Sequence, residues 1–145
     1  MHYLLDTNIL LRWLTKEHPH HAVAVGAIAR LLAQNETLYT APQIYYEFWN
    51  VATRPLKNNG LGLTPDQAQI EMEGMLKRFP LLPDTSNLFT TWQSLVIRYQ
   101  VSGAKVHDTR LVATMINHSI PYLLTFNHSD FHRFEEITPV DPLSL

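Results

Sequence analysis

Apolar positions along the chain follow two alternating patterns. Short runs rich in apolar and β-forming residues occur at residues 2–5, 37–40 and 121–125, and residues 137–140 predict a last edge strand. The segments between these runs carry apolar residues every three or four positions, which predicts amphipathic helices. Strands that alternate with helices in this way are typical of an α/β sandwich with a mostly parallel sheet.

Capping and breaking residues predict six helices between these strands. The first begins after residue 6, the second follows a turn at 18–21 and ends near 35, and the others span 43–53, 65–79, 86–99 and 108–117. Ser86 is the expected cap of the fifth helix, and a further short strand is predicted at residues 81–82. The core-facing residues of the second helix are predicted to be Val25, Ile28, Ala29 and Leu32.

The chain is long enough to bury one core without disulfides. Its 145 residues are 46% hydrophobic and 17% charged, which is ordinary for a globular protein, and we expect one domain over residues 1–145. Sheets of the predicted kind bind ligands outside the carboxyl ends of their strands, although the sequence leaves the strand order open. Residues directly after each strand are therefore the first candidates for a functional site.

Charge and cysteine content restrict the functional classes. Cysteine is absent, no apolar run approaches the roughly 18 residues of a membrane span, and Asp6 interrupts the first apolar run before a signal-peptide core can form. We therefore expect a cytoplasmic protein with no membrane partner. The formal net charge of −2 gives no strong basic field. Any nucleic acid must be held by local groups.

Four acidic residues lie in apolar company near predicted strand ends. Asp6 and Asp108 each precede an apolar helical stripe at offsets of three, four and seven residues. Glu47 shares the predicted inward face of its helix with Ile44 and Val51, and Asp130 lies in the loop after the strand at 121–125. All four carboxylates are expected at one edge of the sheet.

Each acid also has a purely structural interpretation. Asp6 and Asp108 could cap helices, Glu47 could pair with Arg54 or Arg12, and Asp130 could shape a turn. Taken together, however, the acids leave negative charge that needs a cation. An all-oxygen set of this kind favours Mg²⁺ or Mn²⁺ over Zn²⁺ and suits phosphodiester hydrolysis by metal-activated water.

The segments that carry these acids resemble those of the PIN-domain ribonucleases, particularly the VapC-like toxins of bacterial toxin–antitoxin pairs. The family opening is similar to LLDTNIL at 4–10, and its mid-chain glutamate helix to QIYYEF at 43–48. HDTRL at 107–111 matches the third acid, and the closing strand and loop match 123–131. The resemblance covers roughly residues 3–142 and implies a PIN-like three-layer sandwich.

This resemblance implies an endoribonuclease that requires Mg²⁺ or Mn²⁺. Asp6 and Asp108 would be the principal metal ligands, Glu47 would hold water at the metal, and Asp130 would supply the remaining charge. Many family members have aspartate where this chain has Asn127, so occupancy of a second metal position is open. Four polar residues beside the acids are candidate supporting groups: Thr7, Asn8, Thr125 and Asn127.

The resemblance also implies partners. These are an RNA substrate, a cognate antitoxin protein and a second copy of the chain in a homodimer. Several residues outside the acid set are candidate phosphate contacts or metal ligands: Arg54, Lys57, Lys105, Arg110, Arg133 and the pair His128 and His132, although solvated surface or RNA contact is favoured over zinc for that pair.

Three other classes compete with the nuclease interpretation. A haloacid-dehalogenase-type phosphatase needs a second aspartate at the position of Asn8, and a phosphoacceptor receiver domain needs an acid pair near the first strand. Both lack a required residue. A non-catalytic PIN-like module that binds RNA or protein remains as the alternative, because Asn127 replaces a family acid.

Overall fold

Four short parallel strands form one sheet at the centre of the computed structural model, which describes all 145 residues. The strands are β1 (His2–Leu5), β2 (Thr37–Tyr39), β3 (Tyr122–Leu124) and β4 (Thr138–Val140). Their order across the sheet is β2-β1-β3-β4, and every neighbouring pair is parallel. The carboxyl ends of β1 and β3 therefore lie side by side.

Six helices flank this sheet, as the α/β prediction requires. They are α1 (Thr7–Leu14), α2 (His21–Ala33), α3 (Pro42–Thr53), α4 (Pro65–Arg78), α5 (Leu88–Arg98) and α6 (Lys105–Asn117). Short 3₁₀ turns follow α3, β3 and β4. The parallel sheet and its flanking helices confirm the PIN-like three-layer fold class. None of the helices combines the length and the apolar character needed to cross a lipid bilayer.

The central strand β1 is held by burial on both sides of the sheet. Leu4 and Leu5 are fully buried, as are Leu123 and Leu124 of the adjacent strand. Thirty-one buried apolar residues form one continuous core around these strands. Because successive strand residues point to opposite faces, leucines at consecutive positions show that both faces of the sheet are covered.

The inward face of α2 differs from the prediction. Val25 is 38% exposed and Leu32 is 51% exposed, and Ala29 is also exposed. Of the predicted residues only Ile28 is buried, and the others that face the core are Ala24, Ala27 and Leu31. Apolar residues surround this helix, so periodicity alone leaves its orientation open, and small alanines let α2 pack closely on α1.

Three element boundaries also differ from the prediction. Helix α6 begins at Lys105, three residues before the predicted start at Asp108. Helix α5 follows Asn87, and no side chain, including that of Ser86, caps it. The predicted strand at 81–82 is reduced to a single parallel bridge between Leu81 and Thr40.

Candidate active site at the carboxyl edge of the sheet

Asp6 is fixed where β1 ends and α1 begins. Its backbone N–H donates to the Leu124 carbonyl oxygen at 3.0 Å, which continues the pairing of β1 with β3 by one residue. The extended backbone of Asp6 then turns into α1, for which this residue is the N-cap. The side chain is held at the carboxyl edge of the sheet, and the residue is only 8% exposed.

Neutral donors alone surround the Asp6 carboxylate. Oδ1 accepts from the Thr7 backbone N–H at 2.7 Å. Oδ2 accepts from the Thr125 hydroxyl at 2.7 Å and from the Asn8 side-chain amide at 3.4 Å. No Lys, Arg or His forms an ion pair with Asp6. The helix-cap interpretation is thus part of the answer, but it leaves a buried charge without a cation.

The loop after β3 is tied to the same aspartate by two side chains. Asn8 Oδ1 accepts from the Phe126 N–H at 3.1 Å, while its amide donates to Asp6. The Thr125 hydroxyl accepts from the Asn127 N–H at 3.0 Å and donates to Asp6. Asn8 and Thr125 therefore orient both the carboxylate and the loop. The Asn127 side chain makes no hydrogen bond to the protein, and only its backbone joins this network.

Glu47 reaches the same edge from α3, which begins at Pro42, separated by two residues from the end of β2. Its Oε2 accepts from the Thr7 hydroxyl at 2.9 Å, and its Oε1 accepts from the Gln43 amide at 2.8 Å. The alternative pairing of Glu47 with Arg54 or Arg12 does not occur. Like Asp6, Glu47 is held by neutral donors and carries no partner cation.

Gln43 is a positioning residue that the sequence reasoning missed. Its amide donates to Glu47 and also to the His107 carbonyl at 2.8 Å, so it connects α3 to the first turn of α6. Its Oε1 accepts from Arg110 at 3.0 Å. The sequence contained a usable indication, because Gln43 lies four residues before Glu47 on a helix and side chains at that spacing meet.

Asp108 and Asp130 form the second part of the acidic cluster. Asp108 lies inside the first turn of α6 and caps nothing, because the N-cap position belongs to Ala104. The Lys105 ammonium lies 3.8 Å from Asp108 Oδ2 and 3.0 Å from Asp130 Oδ1. Side chains of Asp108 and Asp130 are both more than one-third exposed. This part of the cluster is accordingly more open, and it is partly neutralised.

Burial and mutual repulsion perturb two of these acids. Burial is the main cause that raises the pKa of Asp6 to about 6, and the charges of Glu47 and Asp108 raise it further against the lowering effect of the bonds from Thr125 and Thr7. Burial likewise raises the pKa of Asp108, with Lys105 opposing and Asp130 and Glu47 adding to the rise. The charges of Glu47 and Asp108 therefore act on Asp6, whereas the charge of Asp130 acts on Asp108.

The donor chemistry of this edge fits a hard divalent cation. Every candidate ligand is a carboxylate oxygen, and Asp6 and Glu47 together present uncompensated negative charge. As the side chains stand, no three His, Asp or Glu groups are arranged to hold one ion, and Asp108 and Asp130 instead contact Lys105. The set thus fits in charge and donor type, and closing it around an ion requires side-chain rotation away from Lys105.

Arg110 and the pair His128 and His132 were also candidate functional residues. Arg110 is held by Gln43 and by Asp84, with 2.9 Å between the guanidinium and the Asp84 carboxylate. His128 Nδ1 lies 3.6 Å from Asp141 Oδ2, and its ring faces that of His132 with centroids 5.4 Å apart. No third His, Asp or Glu joins these two histidines in an arrangement that could hold a metal ion.

Comparison with solved structures identifies the same fold in bacterial toxin–antitoxin complexes. VapBC-1 from nontypeable Haemophilus influenzae is 18% identical, with a TM-score of 0.73 and 99% of each chain covered. VapBC2 from Rickettsia felis, bound to a promoter DNA fragment, is 19% identical, with a TM-score of 0.71 and coverage of 97% of this chain and 98% of that one. At such identities the likeness is one of fold.

A third structure of this kind is VapC20 from Mycobacterium tuberculosis, a toxin that cleaves the sarcin–ricin loop. It is 18% identical, with a TM-score of 0.65 and coverage of 94% of this chain and 99% of that one. No curated protein matches the sequence. The sequence itself matches the PIN domain family over residues 3–137, which includes Asp6, Glu47, Asp108 and Asp130. The chain therefore belongs to the PIN domain family.

Proposed function

We propose that this protein is a metal-dependent endoribonuclease that serves as the toxin of a toxin–antitoxin pair. One observation carries the proposal: Asp6 is buried at the carboxyl edge and is hydrogen-bonded by neutral donors alone, and the charges of Glu47 and Asp108 help to raise its pKa. A buried charge without a partner is costly, so a cation at this position is expected. Membership in the PIN family and the VapC-like fold support the same conclusion.

Asp6, Asp108 and Glu47 would hold Mg²⁺ or Mn²⁺, with Asp130 adding charge from the open side. The bound ion would supply neutralisation of the phosphate oxygens and activation of water. Glu47 keeps free lone pairs on both carboxylate oxygens beyond the bonds from Thr7 and Gln43, so it can accept a proton from the attacking water. Thr125 and Asn8 hold Asp6 in one orientation throughout.

A cleavage assay on purified protein tests this function. Chelator-treated protein is expected to leave single-stranded RNA intact, and Mg²⁺ or Mn²⁺ should restore endonucleolytic cutting. Full cleavage in the presence of chelator would contradict the metal mechanism. Absence of cleavage with either ion, by a protein that binds RNA or a partner protein, would favour the non-catalytic PIN-like module, for which the Lys105 contacts in the acidic cluster are the supporting observation.

The toxin role has its own test in cells. Expression of the chain alone is expected to arrest growth, and Asp6→Asn should relieve the arrest while leaving binding to the cognate antitoxin unchanged. A short neighbouring reading frame with a DNA-binding amino-terminal half would identify that antitoxin. Equal arrest by the wild type and Asp6→Asn would show that growth inhibition does not depend on nuclease chemistry.

The proposed surroundings of the enzyme follow from the same assignment. We propose one PIN-like domain over residues 1–145, a homodimer and a location in the cytoplasm. Size-exclusion chromatography with light scattering would test the dimer at assay concentration. A monomer at that concentration would contradict the dimer without affecting the nuclease assignment.

A further inference from the structure

A cavity of about 470 Å³ lined mainly by polar residues adjoins the acidic cluster. It lies between the outer face of α1, the turn before α2, the loop after β3 and the turn after β4, and we name it the His20 cavity after the ring on one of its walls. None of the four candidate acids lines it. The volume falls within the roughly 300–1,000 Å³ typical of small-molecule sites.

One wall of the His20 cavity is a pair of stacked rings. The His20 and Phe126 rings lie with centroids 4.8 Å apart and planes 11° from parallel. Both residues are half-buried, so the stack is fixed by its surroundings and still meets solvent. Flat aromatic surfaces of this kind bind unpaired nucleobases by stacking and tolerate any base.

A guanidinium without a protein partner lies in the same cavity. Arg12 forms no ion pair, its guanidinium makes no hydrogen bond within the protein, and its backbone carbonyl accepts from the His21 ring at 2.9 Å. The acid of the cavity, Asp141, is engaged elsewhere: Oδ1 accepts from the Leu143 N–H at 2.9 Å, and Oδ2 lies 3.6 Å from His128 Nδ1. Arg12 is therefore free to bind a phosphate.

Two asparagines connect the cavity with the candidate nuclease site. Asn8 lines the cavity and its amide donates to Asp6. A ligand that contacts Asn8 in the cavity would therefore be separated from the buried carboxylate by this one side chain. Asn127 also lines it, and its side-chain amide makes no hydrogen bond within the protein. A free amide can pair with the hydrogen-bonding edge of an unstacked base. The cavity thus offers a stacking surface, a cation and a base-edge partner together.

We propose that the His20 cavity binds one nucleotide of single-stranded RNA next to the phosphate that is cleaved. Its base stacks on the free outer face of the His20–Phe126 pair, its phosphate contacts Arg12, and Asn127 contacts the base edge. This inference rests on the proposed nuclease function. A peptide segment fits the lining less well, because only Phe126 and Leu143 are apolar among its nine residues.

Binding of short RNA to the intact protein tests the subsite. Fluorescence anisotropy with labelled ten-nucleotide oligo(U) and oligo(A), in chelator to prevent cleavage, gives dissociation constants for the wild type, His20→Ala and Arg12→Gln. Each substitution is expected to weaken binding about tenfold for both RNAs, since a stacked base or a phosphate contact is worth that much. A duplex RNA of equal length should bind the wild type more weakly.

A second histidine provides a matched control. His2 also packs against an aromatic ring, that of Tyr39 at 5.7 Å, but it lies at the amino end of β1, the opposite edge of the sheet. His2→Ala should leave RNA affinity unchanged. Thermal melts establish that each variant is folded, and Phe126→Leu gives a second test of the stacking wall if His20→Ala melts early.

The outcomes separate this inference from the proposed function. Unchanged RNA affinity in folded His20→Ala and Arg12→Gln would overturn the subsite even if metal-dependent cleavage is normal. Weakened affinity in these variants, with no cleavage by the wild type under any metal, would support nucleotide binding and contradict the nuclease. Loss of antitoxin binding with normal RNA affinity would assign the cavity to a protein partner and contradict the inference.

Discussion

The two ends of the acidic cluster balance their charge in opposite ways. Asp6 is nearly inaccessible and is fixed by Thr7, Asn8 and Thr125, none of which carries charge. The Asp108 end is open to solvent and contacts the Lys105 ammonium. The same residue type thus forms a buried, uncompensated anion at one end and a more exposed, partly neutralised anion at the other.

This difference indicates a division of labour between the carboxylates. A preorganised buried carboxylate holds its geometry before an ion binds, and it contributes strongly because water cannot screen it. An exposed carboxylate beside a lysine is screened and must leave that lysine to join an ion. We therefore expect the chemistry to depend most on Asp6, and Lys105 to tune how readily Asp108 and Asp130 take part.

The largest expected effect comes from removing the buried charge. Asp6→Asn keeps the side-chain shape but removes a proposed metal ligand, so the initial rate of RNA cleavage should fall by at least about a hundredfold. Asp108→Asn should reach a similar loss. The matched control is Asp66→Asn, which alters an exposed first-turn acid of α4 remote from the cluster. Near-normal cleavage by Asp6→Asn would show that the buried carboxylate contributes little to catalysis.

A smaller loss is expected at Asp130, the more exposed of the two acids that contact Lys105. Asp130 is 42% exposed, so Asp130→Asn should lower the cleavage rate by no more than about tenfold, as expected for a supporting group. Single-turnover rates at saturating Mg²⁺ provide the measurement. A loss as large as that of Asp6→Asn would mean that Asp130 is a principal ligand and not a supporting group.

The raised pKa of Asp6 makes the stability of the metal-free protein depend on pH. Because burial raises this pKa from 3.8 to about 6, the folded protein retains a proton that the unfolded chain has lost, and stability falls as the pH rises across this interval. Metal-free Asp6→Asn should therefore gain stability on the order of 2 kcal/mol over the wild type at pH 7 and little at pH 4. Urea unfolding at both pH values measures the difference.

Two results would count against this pH prediction. A variant that is less stable than the wild type at pH 7 would make Asp6 a structural cap above all. A difference that does not change with pH would separate the stability effect from the Asp6 ionisation. Burial also raises the pKa of Asp108. Asp108→Asn should therefore also be more stable than the wild type at pH 7, but by less than Asp6→Asn, because the Asp108 side chain is one-third exposed and contacts Lys105.

The smallest expected effect is a gain. Lys105→Met removes the cation that contacts Asp108 and Asp130, so the Mg²⁺ concentration for half-maximal cleavage should fall a few-fold, as for loss of one screened charge pair. Lys77→Met, which changes an exposed lysine in the last turn of α4, is the control. An increased Mg²⁺ requirement in Lys105→Met would show that Lys105 assists ion or substrate binding instead.

Parallel strands explain why much of this arrangement was predictable from sequence. Residues that follow β1 and β3 must share one edge once the strands are adjacent, and this brings Asp6 and Thr125 within 2.7 Å. The position of Glu47 on the inward face of α3 was predictable from its helical spacing to Ile44 and Val51. The fold class and the buried stripe of Leu111, Val112 and Met115 behind Asp108 were predictable on the same grounds.

Other features depend on tertiary contacts that no local pattern contains. The contact of Lys105 with Asp130 joins residues 25 positions apart, and it escaped prediction because α6 was expected to begin at Asp108. Gln43 gains its role from the His107 carbonyl of a distant helix. The orientation of α2 depends on how it packs against its neighbours, including α1, and apolar residues all round the helix leave that orientation open.

Direct ion binding tests the central claim that the buried, cation-free Asp6 is what this edge uses to hold a divalent metal. Electron paramagnetic resonance of Mn²⁺ titrated into metal-free wild type, Asp6→Asn and Asp66→Asn reports bound ion without relying on substrate. We expect the wild type and Asp66→Asn to bind Mn²⁺ saturably, and Asp6→Asn to bind it with an affinity at least about tenfold weaker. Equal Mn²⁺ affinity in the wild type and Asp6→Asn would contradict this claim.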